Sequence, residues 1–178
     1  MIEVGIGPGH ERFLVVCGLE RGDAEIENVR LSLDWATTHD PELALRLARE
    51  IGWYLLTRGG FIEARQRLEQ AFVGADDIPD DLRAGALLER AMYATTALNF
   101  ETANEDVEAA LTLYRQLGDE HGIAECVHDL GRIAIWSNDY ERAKPLFEDA
   151  LVRFRALDAS MLTVCCANLS AALLYLGE

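Results

Sequence analysis

Apolar residues recur along most of this chain at spacings of three and four, the pattern of amphipathic helices. Three stretches share more than that general rhythm: GGFIEARQRLEQAF, LNFETANEDVEAAL and NDYERAKPLFEDAL. Each opens on an aromatic residue (Phe61, Phe100, Tyr140), followed by an alanine (Ala64, Ala103, Ala143), a bulky apolar residue (Leu68, Val107, Phe147) and a second alanine (Ala71, Ala110, Ala150). These spacings place all four on one face of a helix, and the alanines let a neighbouring helix come close. Successive copies lie 39 and 40 residues apart, a period that marks helical solenoids.

Each copy reads as the second helix of a hairpin whose first helix lies just upstream, in ELALRLAREIGWYLLTRGG, LRAGALLERAMYATTALN and GIAECVHDLGRIAIWSND. Gly52 and Gly131 hold equivalent places in the first and third of these, where a missing side chain permits tight helix packing; the second has Arg90-Ala91. Asp40 before Pro41 predicts a capped helix start, and Asp80, Asp119 and Asp158 are cap candidates for the later first helices. Gly59-Gly60 and Asn138-Asp139 predict turns between helices, and Pro145 predicts a local bend. SMLTVCCANLSAALLYLGE matches a fourth first helix, and AEIENVRLSLDWATT reads as a degenerate half-repeat. The expected layout is an irregular segment 1–23, then a helical-repeat domain 24–178. That domain comprises a half-repeat 24–39, repeats at about 41–76, 80–117 and 119–157, and a partial repeat 158–178. Its last helix, where a following one would be expected, implies a piece of a longer protein with an apolar face seeking a partner.

Composition narrows the job. Half of the 178 residues are hydrophobic and only 8% aromatic, which favours an all-α fold over a sandwich or barrel. The net charge of -15 repels phosphate backbones and anionic lipid, so neither nucleic acid nor a membrane surface is an expected partner. FLVVCGL at 13–19 is too short to span a bilayer and lacks the flanks of an export signal, so a cytoplasmic location is expected. Cys17, Cys126, Cys165 and Cys166 lack CxxC spacing and read as reduced thiols. Lys144 is the only lysine and precedes Pro145, which rules out a GxxxxGK[ST] nucleotide loop, and GIGPG fails the GxGxxG pattern. Without HExxH, GxSxG or zinc spacing, no catalytic residue, cofactor or metal site is expected. His121, Glu125 and His128 share a helical face, but a solvated surface explains them far better than metal ligation does.

A small residue in the first helix, an aromatic opening the second and alanines three and ten residues on resemble the tetratricopeptide repeat (TPR), although the period exceeds that motif's usual 34. The resemblance implies a right-handed superhelix of TPR-like hairpins. Residues 25–72, with ENVR..L.WA, DPELALRL and RLEQAF, also resemble the start of the repeat arm of large bacterial transcription regulators. Those carry a signalling ATPase and a LuxR-type or winged-helix DNA-binding domain elsewhere in the chain. That resemblance implies a sensor or protein-binding arm, with a protein, a peptide or the rest of a longer regulator as partner. In the repeat family the first helices line the inner surface. Here this implies Arg46, Arg49 and Trp53; Leu88 and Met92; His128, Arg132 and Trp136; and Asn168, suited to an acidic-aromatic peptide. The tryptophans could equally be core, and the arginines paired with carboxylates. Two other uses stay open: a closed small-molecule pocket around Trp53, Met92 and Trp136, and homodimerisation through the C-terminal helix at Leu169 and Leu173.

Overall fold

Short polar side chains start several of the helices, and residues of left-handed backbone end several of them. Asp40 accepts from the Leu43 amide at 3.0 Å, Asp139 from Arg142 at 3.1 Å, and Asp119 from both His121 and Gly122 at 3.0 Å. Each bond satisfies an amide that the first helical turn leaves without a partner. The computed structural model describes residues 19–75, 77–157 and 160–177, with side chains from residue 26 onward. Among these it has eight helices and no strand. They are α1 (Leu19–His39), α2 (Pro41–Thr57), α3 (Phe61–Ala71), α4 (Asp80–Thr96), α5 (Phe100–Leu117), α6 (Glu120–Trp136), α7 (Tyr140–Ala156) and α8 (Leu162–Leu176).

The repeat is written in the backbone as well as in the side chains. Gly59, Leu98, Asn138 and Gly177, each just past a first helix, all have positive φ, between 60° and 77°. In the first three turns the next amide bonds back across the helix end: Gly60 to the Leu55 carbonyl, Asn99 to Ala94 and Asp139 to Ala134, at 2.7 to 2.9 Å. This closure needs a left-handed residue, which glycine and asparagine adopt readily and Leu98 only at a cost of roughly 1 kcal/mol.

The described residues form two units, divided after Pro79. In the first, α1 packs on α2 and α2 on α3, over Leu33, Leu45, Ile51, Leu55 and Leu68. Arg30 on α1 forks onto both carboxylate oxygens of Glu63 on α3, at 2.7 and 2.6 Å, and this bond holds the Glu63 carboxyl below its usual range. In the second unit α4 pairs with α5, α6 with α7, and α7 with α8, while α4 also meets α6 and α6 meets α8. The nine residues of the repeated face, from Ala64 to Ala150, are each no more than 1% exposed. A fully buried Leu or Phe among them contributes roughly 1.5–3 kcal/mol. The opening aromatics Phe61, Phe100 and Tyr140 are only half-buried.

Several expectations change in detail. α1 begins at Leu19, ahead of residue 24, because Glu20 and Arg21 are good helix formers and one glycine does not stop a helix. Asp80 lies in the first turn of α4, while Asp158, Cys17 and residues 1–18 lie outside the described residues. Pro145 does not end its helix, as expected of a local bend: α7 continues through it. Gly131 acts as expected: a Cβ there would sit 2.8 Å from the Phe147 ring. In repeat two, where Arg90 replaces the bulky apolar residue of the other copies, its guanidinium forks onto the buried Asp106 carboxylate on α5, at 2.8 and 2.5 Å.

These substitutions within the repeat make two stability predictions. Leu98 is exposed, so Leu98→Gly removes left-handed strain at little loss of burial and should stabilise by roughly 1 kcal/mol, read as a higher thermal midpoint. Asp106→Ala removes the buried carboxylate onto which Arg90 forks and should cost about 2–3 kcal/mol in urea denaturation. The double variant Arg90→Leu/Asp106→Leu, which installs the residue types that Leu130 and Leu146 hold in repeat three, should recover most of that loss.

Candidate functional site

In the second unit the first helices α4, α6 and α8 lie side by side, and each turns part of its surface away from its own hairpin partner. Met92 and Thr95 of α4, Val107 of α5, and Asp129, Arg132 and Ile133 of α6 enclose a cavity of about 10 Å³. That is room for one water at most, far below the roughly 300 Å³ at which ligand pockets begin. Met92 and Arg132 are therefore brought together as expected, on a surface with no closed pocket between them. Trp136, one turn beyond Arg132, is 50% exposed, and Leu88 on α4 is half-buried.

Arg132 does not offer an uncommitted charge, because its Nη1 lies 2.9 Å from Asp129 Oδ1. Burial works against the Asp129 carboxylate, but the hydrogen bond from His128 and the charge of Arg132 outweigh it and leave the carboxyl below its usual value. Asp129 is thus a fixed anion, and sequence reasoning passed over it although it stands one turn before Arg132.

His128 differs most from its expected role. It is buried, with its ring edge-on to Phe147 and Phe154 at centroid distances of 5.5 and 6.1 Å. The Asn168 amide on α8 donates to His128 Nε2 at 3.0 Å, which puts the proton on Nδ1, 3.5 Å from Asp129 Oδ1. The pair His128 and Asn168 joins α6 to α8 and leaves His128 no surface for a ligand. Nearer the start of α6, Glu125 lies 3.7 Å from His121, and desolvation raises the Glu125 carboxyl above its usual value despite that histidine. Among the described residues no group of three His, Cys, Asp or Glu side chains could hold a metal ion.

The remaining candidates lie elsewhere. In the first unit Arg46 is exposed and bonded to Glu42 at 2.8 Å, Arg49 is half-buried, and Trp53 is 36% exposed. On α8, Leu169 packs against the α6–α7 core and Leu173 is half-buried. Burial pushes the Cys126 and Cys165 thiols up to about 12 and about 11, so both are inert at neutral pH. A surface cleft of about 320 Å³, between the start of α6 and the end of α7, was not anticipated; Glu120, Asp149, Val152, Arg153, Ala156 and Leu157 line it. Arg153 spans it, bonded to Glu120 and Asp149, and only the long-range Arg153–Glu120 pair could have signalled it.

No protein-family model matches the chain, and no curated protein matches it. Solved structures do. BtubC (BKLC) from P. vanneervenii superposes with a TM-score of 0.67 at 21% identity, over 88% of this chain and 66% of its own. The nearly identical TPR-like repeats of a putative kinesin light chain from Podospora anserina, and a single-residue variant of them, give 0.70 and 0.72 at 15% identity. Each covers 94% of this chain, and this chain covers 85% and 84% of them respectively. The fold is that of TPR-like helical repeats. At these identities the likeness concerns architecture alone. The 39- and 40-residue period therefore belongs to a TPR-like chain.

Glu125 supplies a test of the electrostatics of this face. Its folded-state carboxyl titrates above the unfolded value, so the ionised form opposes folding, and stability is gained as pH falls from the folded value towards the unfolded one. Glu125→Gln should therefore melt higher than the parent chain at pH about 7.5, and the difference should vanish near pH 4. Paired thermal melts across that range check it.

Proposed function

We propose that the chain is a TPR-like scaffold that binds a protein or peptide on the inner side of its first helices, as the sensor arm of a longer cytoplasmic transcription regulator. The observation that carries the binding reading is the Met92–Arg132–Trp136 surface: an exposed tryptophan and a methionine, on adjacent helices, flanking an arginine already held by Asp129. Trp and Arg are the residues most often found to dominate the energy of such contacts. Because Asp129 occupies Arg132 and Glu125 lies on the same helix, the patch carries little net positive charge. A partner with an apolar anchor residue fits it better than a strongly acidic peptide. The water-sized cavity at Met92 speaks against a small inducer enclosed there.

The regulator part of the reading rests on the resemblance of residues 25–72 to regulator repeat arms. In such an arm, a partner that binds one arrangement of the repeats better than another would shift the attached module between states.

Peptide display against the whole chain tests the site. Enriched sequences should share an apolar anchor and lose at least about tenfold in affinity for Trp136→Ala or Met92→Ala. Enrichment indifferent to both substitutions would overturn it. The coding frame around these residues tests the regulator: a nucleotide-binding loop before them and a DNA-binding helix pair in the same frame are expected.

A further inference from the structure

From Gly122 to Trp136, every residue of α6 is buried except Glu125, Asp129, Arg132, Ile135 and Trp136. Their spacing sets them along one stripe of the helix. α4, α5, α7 and α8 all pack against α6, so the stripe is bounded by neighbouring helices and owes nothing to an end of the chain. It has two poles. Trp136, the apolar anchor of the binding reading, stands at one; Glu125 stands at the other, three turns away and about 16 Å along the axis. Between them Asp129 and Arg132 satisfy each other at 2.9 Å.

Glu125 is poorly compensated within this unit. Asp106, Asp129, Glu120 and Asp149 each meet an arginine at 2.5 to 3.4 Å, whereas Glu125 meets the His121 imidazole at 3.7 Å, beyond hydrogen-bond reach. Burial raises its carboxyl above the usual value, and the like charges of Asp129 and Asp119 add to the rise. The side chain is nonetheless 39% exposed, so a partner can reach it. A half-desolvated carboxylate that opposes folding, at the open end of a stripe whose other charges are paired, is relieved by a cation brought from outside. The net charge of -15 draws such a cation from a distance, and the fixed interval between Glu125 and Trp136 then selects where it sits in the partner.

We propose, resting on the binding reading above, that the partner is a basic segment extended along α6. It sets an apolar side chain on Trp136 and Met92 and, about five residues away at 3.3 Å per residue, a lysine or arginine on the Glu125 carboxylate.

Peptide display against the full chain and against Glu125→Lys reads both ends of the stripe. The parent chain should enrich Lys or Arg about five positions from the apolar anchor, and Glu125→Lys should enrich Asp or Glu at that same place with the anchor unchanged. For a lysine-bearing peptide so selected, Glu125→Gln should weaken binding roughly fivefold in fluorescence anisotropy. Because Glu125→Gln is expected to melt higher than the parent, that loss is not one of folding. Two results overturn the proposal and leave the binding reading standing. One is enrichment that depends on Trp136 but carries no basic residue at a fixed interval; the other is a basic preference spread along the peptide and unchanged by Glu125→Lys, which the net charge alone would produce. Enrichment indifferent to Trp136→Ala overturns both.

Discussion

Close approach between the two helices of each hairpin is the constraint on which the rest of this structure depends. It is achieved by leaving side chains out: alanines line the buried face of α3, α5 and α7, and Gly131 admits the Phe147 ring where a Cβ would collide. Once helix axes are this close, one large residue fits between the two alanines of each second helix. The large residue varies, as Leu68, Val107 or Phe147, while the small ones around it stay alanine or glycine. What recurs in the chain is therefore mostly the places where something must be absent.

Departures from the repeat are absorbed locally. Repeat two lacks the apolar residue that Ile51 and Leu130 supply, and places Arg90 there; its second helix supplies Asp106, so a desolvated contact becomes a forked ion pair in the same place. The turn of repeat two uses leucine where its counterparts use glycine or asparagine, yet it closes with the same bond from residue 99 to residue 94. Both cases show the backbone geometry of the hairpin prevailing over the local preference of one residue. They also explain why the period can alternate between 39 and 40 without loss of the pattern, since capping and closure reset each helix end independently.

The fold was legible because it rests on spacing. The alanine rows, the aspartate caps and the left-handed turns at Gly59 and Asn138 each depend on residue type and local interval, which a sequence displays directly. The candidate site was less legible because it depends on which way helix faces turn in three dimensions. Arg132 and Met92 line one small cavity, but the sequence does not show Asp129 as the partner that occupies Arg132. His128 sits at an inner-surface position and yet is swallowed between helices, because Asn168, 40 residues away, and the Phe147 and Phe154 rings close over it. An imidazole can serve as solvated surface or as a satisfied core group, and only its long-range neighbours decide which.

The same geometry bears on where binding can take place. In the second unit the buried faces belong to packing, and the small residues on them leave no room for added bulk, so a partner has room only between those faces. There the chain carries Trp136, Met92 and Arg132 on one side, with charges paired within the same helix turn. Such internal pairing has a consequence for recognition. A guanidinium held by its own carboxylate attracts a distant ligand weakly, yet it keeps a fixed orientation and offers its stem and plane for contact. On the proposed reading, a surface of this kind would select partners by shape and apolar fit at short range, leaving the overall negative charge to discourage the anionic ones.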